Sequence, residues 1–253
     1  MPNVVLTIDC EGAHHDRCYT REYIKILEDE FVPASWMIHV SMKDPSANTN
    51  LYYHEFLHKI PNWHELGMKV NFENERGYVD DAKERGNILW VAKDTLKSHL
   101  IKATSFRAGA FALLPSDVKY LEDMGILVDS SVVPDAEYKM FVDWGGAPHE
   151  PYHSDADNLC KEGRNKILHL PVAVHEGKHG YLNGGDGAEL RALFEANLKR
   201  EVIVLGLRDY IDSVESLKET IRYFRGQGAH FTTLTQAASE HYEHHEALAT
   251  AGA

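Results

Sequence analysis

The chain is 253 residues long, 43% hydrophobic, and carries a formal charge of −13 from 39 acidic against 26 basic residues. That length suits one α/β barrel domain over 1–253 with a substantial core, and no stretch approaches the roughly 20 apolar residues that span a bilayer. The acidic excess excludes nonspecific attraction to nucleic acid or anionic lipid, and the three cysteines, Cys10, Cys18 and Cys160, lack metal-finger spacing and leave one unpaired, as in a reducing compartment.

Residues 4–8 read as a buried strand running into Asp9, Cys10, Glu11 and Gly12. No charged leader with an apolar centre precedes it, so a cytoplasmic location is expected. Residues two apart on an extended chain point the same way, which lets Asp9 and Glu11 share a proton or a cation; the plain alternative is a pair of solvated loop acids. A helix over 21–31 follows on the stripe Ile24, Leu27 and Phe31, then a strand over 34–40, a turn-rich passage over 41–50, a short helix over 51–59 and a strand over 66–72. A long helical stretch carrying Leu89, Leu96 and Leu100 runs to 101, and a short strand over 104–106 ends on Arg107. Pro115 and Ser116 open a helix that stops before Gly125, and a strand over 126–128 delivers Asp129, Ser130 and Ser131. Residues 135–164, rich in Pro, Gly, Asp and His and without a period, read as a long loop. A strand over 167–174, a helix over 188–200, a strand over 202–207, a helix over 214–226 and a strand over 230–234 follow. The tail carries His241, His244 and His245 on one helical face; it reads as solvated, with binding of stray metal the alternative. Strand and helix alternate throughout, the pattern of β-α units around a parallel sheet.

The strand ends collect Asp9 with Glu11, Lys69 with Asn71 and Glu73, Arg107, Asp129 with Ser131, and Arg208 with Asp209. In this order they resemble the motifs of the polysaccharide deacetylase family, the NodB-homology esterases of carbohydrate esterase family 4, which remove acetyl groups from N-acetylated sugars. The resemblance covers nearly the whole chain and implies a distorted parallel (β/α) barrel of the NodB-homology type. Asp9 matches the family's catalytic base, and Glu11 stands where one branch places a metal carboxylate. The family pattern HEIGxHxxxH corresponds to His64, Glu65, Leu66, Gly67, Met68, Lys69, Val70, Asn71, Phe72 and Glu73, so Lys69 and Glu73 replace the two metal histidines. Residues 106–111, FRAGAF, match the motif whose Arg orients the base, which gives Arg107 that role. Asp129 and Ser131 resemble the groove motif, and Asn71, Phe111 and Arg208 are further substrate-binding candidates. Leu207, Arg208 and Asp209 stand where the family has Leu-His with the His as general acid.

In the family mechanism a divalent metal polarises the acetamide and activates water, an Asp accepts a proton and a His returns one to the leaving amine. A charged Lys has no lone pair and repels a cation, so the usual Asp-His-His zinc site is not expected. Two arrangements stay open. One is an oxygen-rich site from Asp9, Glu11, Glu73 and His14 or His15 for a harder divalent ion. The other, preferred, is outright replacement of the cation by Lys69, neutralising Glu11 and Glu73. If the protein hydrolyses, Asp9 is the base, Arg107 its partner, and Lys69 or a metal held by Glu11 and Glu73 the oxyanion stabiliser. The substrate implied is an acetamido sugar or precursor of cell-surface polysaccharide synthesis. The rival readings are an inactive relative that binds carbohydrate and a barrel hydrolase of a non-sugar amide. Without the motif context, Arg107 reads as a structural ion pair, and Asp129 with its serines as a cap or turn. His14 and His15 read as solvated loop residues, and His169, His175 and His179 flank a strand from which one could replace the lost acid.

Overall fold

The structure, a computed structural model, describes residues 2–137, 141–183 and 187–251. Its main sheet consists of β1 (Asn3–Cys10), β2 (Ser35–Val40), β3 (Glu65–Val70), β4 (Ser105–Ala108), β5 (Val128–Asp129), β6 (Tyr152–His153), β7 (Leu168–His169), β8 (Val202–Arg208) and β9 (His230–Thr232). The spatial order is β8-β1-β2-β3-β4-β5-β7-β6, parallel except where β6 meets β7. β9 takes the edge of β1 at Asn3–Val5, and β2 takes it from Thr7 onward. β1 and β2 are buried on both faces, which explains their unbroken apolar runs in place of alternation.

The helices are α1 (Thr20–Asp29), α2 (Ala47–Leu51), α3 (Ala82–Ser98), α4 (Pro115–Asp123), α5 (Gly187–Asn197), α6 (Val214–Gly226) and α7 (Leu234–Ala251). α6 shows the logic: Leu217, Thr220, Ile221 and Phe224 recur at helical spacing and form its buried stripe. Among the described residues no helix is long and apolar enough to cross a membrane.

The sheet curls, and isolated bridges Val172↔Val204 and Tyr181↔Gly206 join the chain beyond β7 to the open edge of β8. The result is the distorted parallel (β/α) barrel expected from the motifs. Pro171 lacks a ladder N–H, and the single strand expected over 167–174 is split there. After the break, Val174–His175 and Lys178–His179 form a hairpin whose two-residue loop, Glu176 and Gly177, has φ of 48° and 73°.

Other expectations are corrected too. β3 stops at Val70, and Glu73–Asn74 pairs with Gly77–Tyr78 in a small hairpin instead of prolonging a strand to 72. The passage over 41–50 becomes helical at Ala47 and continues into a π-turn at Tyr52–Phe56. The loop over 135–164 contains β6, with 138–140 outside the described residues. The tail is α7, which buries Leu234, Ala237 and Ala238.

Candidate functional site

The carboxyl ends of β1, β3, β4 and β8 surround a cavity of about 360 Å³. Strand register puts Asp9 beside Arg208 and Lys69 beside Arg107. Lys69 Nζ donates to Asp9 Oδ2 at 2.8 Å and also to Glu11 Oε1, while Arg107 Nη1 donates to Asp9 Oδ1 at 3.3 Å. Tyr181 donates its hydroxyl to Asp9 Oδ2 at 2.8 Å. The guanidinium fork of Arg107 is fixed from behind by Thr7 Oγ1 (2.7 Å), Ser130 O (2.8 Å) and Ser130 Oγ (2.9 Å). The side chains of Asp9, Lys69 and Arg107 are at most 5% exposed and that of Glu11 15%, so two carboxylates and two cations form a largely buried set of balanced charge.

Burial opposes ionisation of Asp9, but Lys69 and Arg107 outweigh it and bring its pKa down to about 2. Glu11 is lowered in the same way: burial works against the charge, and Lys69 prevails with help from His39. Lys69 is pulled below its usual range by burial and more than restored by Asp9 and Glu11, so it stays an ammonium at any physiological pH.

Glu11 reaches this set because Asp209, next after Arg208, accepts the Glu11 and Gly12 amides at 2.9 and 3.0 Å. A Cβ on Gly12 would lie 2.6 Å from Cys18 Sγ and 2.8 Å from Asp209 Oδ2, so the turn closes only on glycine. Burial raises Asp209 to about 6 despite these donors and Tyr52. A comparable approach occurs at Gly109, where a Cβ would lie 1.6 Å from Asn71 Oδ1. Ala110 and Phe111 follow with φ of 51° and 55°, turning the Phe111 ring edge-on to Tyr181 at 5.8 Å.

Of the residues singled out in the sequence, Asp9, Glu11, Lys69, Asn71, Glu73, Arg107, Phe111 and Arg208 all line the cavity. Glu73, expected to share the Lys69 charge, faces Lys43 at 3.8 Å, and Asp9 takes its place beside the ammonium. Asp129 and Ser131, expected along the groove, are fully buried and outside the cavity lining. Asp129 accepts His169 Nδ1 at 2.8 Å and the Ser131 amide at 3.1 Å, and Ser131 Oγ accepts the Ala108 amide at 2.8 Å. Those groups tie β4, β5 and β7 together. His169 spends its other nitrogen on Ser154 (2.8 Å), and His15 is an exposed residue stacked on Tyr210.

Sequence reasoning missed the aromatic wall. Tyr78 and Phe141 stack at 3.9 Å on one side of the cavity, with Tyr181 and Tyr210 elsewhere along it. The Arg208 guanidinium lies 4.8 Å from the Tyr181 ring centre and forms no side-chain ion pair among the described residues. His179 also lines the cavity; burial, then Arg208 and Arg107, bring its pKa down to about 4.

The divalent ion of the family mechanism does not fit these residues. Lys69 Nζ occupies the point where Asp9 and Glu11 converge, and their charges are already balanced by Lys69 and Arg107. An added divalent ion would put two uncompensated positive charges in a buried site.

No family model matches the sequence, and no curated protein matches it by sequence. Solved structures do match. A Mycobacterium smegmatis protein described as a polysaccharide deacetylase is 14% identical, with 97% of this chain and 92% of that chain covered and a TM-score of 0.64. Puue allantoinase is 12% identical over 93% of this chain and 89% of its own, with a TM-score of 0.62. Wild-type BA3943 of Bacillus anthracis, a CE4 family pseudoenzyme, is 10% identical over 93% of this chain and 64% of its own, with a TM-score of 0.57. At such identities the likeness establishes the fold, the NodB-type (β/α) barrel.

Proposed function

We propose that the cleft binds an acetamido sugar without a metal ion and without the hydrolytic step of the deacetylases whose fold it shares. One observation carries this reading: the Lys69 ammonium is locked between Asp9 and Glu11. Amide hydrolysis on this fold needs a cation to polarise the carbonyl, a base for water and an acid for the leaving amine. Here the cation's place is filled by an ammonium. Asp9, with a pKa of about 2 and three donors already upon it, is a poor acceptor for a proton from water. Arg208 stands in the position of the acid, and a guanidinium does not release its proton.

Binding capacity survives these losses. The stacked pair Tyr78 and Phe141, exposed at 36% and 40%, offers apolar surface at the rim for the C–H side of a pyranose, and Asn71 and Arg208 offer donors for acetamido and hydroxyl oxygens. BA3943, described as a CE4 family pseudoenzyme, is a precedent for this fold without the reaction. An acetamido sugar is a building block of cell-surface polysaccharide, and that synthesis is the setting we assign.

Calorimetric titration of chelator-treated protein with N-acetylglucosamine oligomers tests the proposal. Saturable binding, weakened about tenfold by Arg208→Ala, with no acetate released, is the expected result. Failure of every oligomer to bind, or acetate release lost in Asp9→Asn, overturns it. A second reading, metal-free hydrolysis, rests on His179, which is neutral at physiological pH and lines the same cavity. Chelator-insensitive acetate release abolished by His179→Gln would put that reading in place of the first.

A further inference from the structure

We propose that Glu201, His241 and His245 form a separate surface site for a zinc-class divalent cation, linking the C-terminal helix to the barrel. His241 and His245 lie one turn apart on α7 and project from the same face, with ring centres 4.2 Å apart. Glu201 immediately precedes β8. Its amide donates to Glu150 Oε2 at 3.0 Å and its carbonyl accepts the Asn3 amide at 2.9 Å, so the carboxylate projects from a fixed backbone. Glu201 Oε1 lies 2.7 Å from His241 Nδ1, and Oε2 lies 3.7 Å from His245 Nε2. All three donor atoms fall within 4.8 Å of one another, and among the described residues no other such group of ligating side chains occurs.

Both oxygens of one carboxylate thus face imidazole nitrogens: His241 is hydrogen-bonded to Oε1, and His245 Nε2 stands beyond hydrogen-bond reach of Oε2 with a gap between them. A cation held between the three donor atoms would take the place of the His241 hydrogen bond and draw them in to zinc's usual nitrogen and oxygen distances of roughly 2.0–2.2 Å. The donor set selects the class of ion. Two nitrogens and one oxygen suit zinc and its neighbours in the first transition row, whereas magnesium and calcium prefer oxygen alone. His241 and Glu201 are mostly covered, with side-chain exposures of 13% and 32%, while His245 at 56% opens the trio to water, which would complete a tetrahedron. The site lies outside the cleft and shares no residue with it, so it stands or falls apart from the sugar-binding reading.

Titration of the chelator-treated full chain with zinc chloride tests this. One saturable site is expected, weakened about tenfold or more by Glu201→Gln, His241→Ala or His245→Ala, and unchanged by His244→Ala and Glu11→Gln. Circular dichroism of each variant establishes that it folds, and zinc should raise the thermal midpoint of the wild type but not of Glu201→Gln. No saturable binding by the wild type overturns the proposal. So does wild-type affinity in Glu201→Gln and His245→Ala, or loss of binding in Glu11→Gln.

Discussion

Replacing Lys69 by methionine keeps the unbranched stem, one atom shorter, and removes the charge, leaving Asp9 with Arg107 and Glu11 with no ion-pair partner among the described residues. In the wild type the Asp9 pKa falls from 3.8 to about 2. At about 1.4 kcal/mol per unit, the balance of burial against the partners of its carboxylate contributes on the order of 2 kcal/mol to stability at neutral pH. Since the folded pKa is depressed, that contribution is complete above about pH 4 and is lost as the pH falls toward 2. Without Lys69, burial, already the largest influence, is opposed chiefly by Arg107, and the folded pKa of Asp9 rises. Removing one partner of a buried pair costs about 3–5 kcal/mol, so Lys69→Met should lose that much at pH 7. The sign of the pH effect then reverses: acid protonates the stranded carboxylates, and the deficit relative to wild type shrinks. Urea unfolding at pH 7 and pH 4.5 measures both quantities. A deficit below about 1 kcal/mol at pH 7, or one that grows on acidification, would refute the reasoning.

Gly109→Ala should destabilise the protein by about 1–3 kcal/mol and impair binding of acetamido sugars, because the new methyl would meet Asn71 Oδ1 at 1.6 Å; Asn71→Ala in the same chain should recover most of the stability in chemical denaturation. Asp129→Ala strands the His169 ring nitrogen and the Ser131 amide, costing about 2–3 kcal/mol by the same assay. Sugar affinity in that variant should stay within about twofold of wild type, since Asp129 does not line the cavity; a selective loss of binding would restore it to the groove.

Much of this arrangement is legible in the chain because strands covered on both faces must be continuously apolar. The runs before Asp9 and Arg208 therefore announce where β1 and β8 end, and with them the face on which those side chains gather. The FRAGAF stretch is legible for a steric reason, since only glycine admits the Asn71 carboxamide. The partner of Lys69 is not, because it depends on β3 stopping at Val70 so that Glu73 turns into a hairpin toward Lys43. Asp129 has the residue type and strand-end position of a groove residue, yet its register neighbour His169 claims its carboxylate, a cross-strand pairing that no local pattern encodes. Tyr181 and Phe141 come from stretches without hydrophobic period, and α7 buries leucine and small alanines, leaving only a faint stripe.

Diffraction at the zinc absorption edge from crystals soaked in zinc chloride tests the central claim most directly. No anomalous peak is expected between Asp9 and Glu11, with Lys69 Nζ retained against both carboxylates, and a peak is expected at Glu201, His241 and His245. A peak between Asp9 and Glu11 with the Lys69 side chain displaced would contradict it.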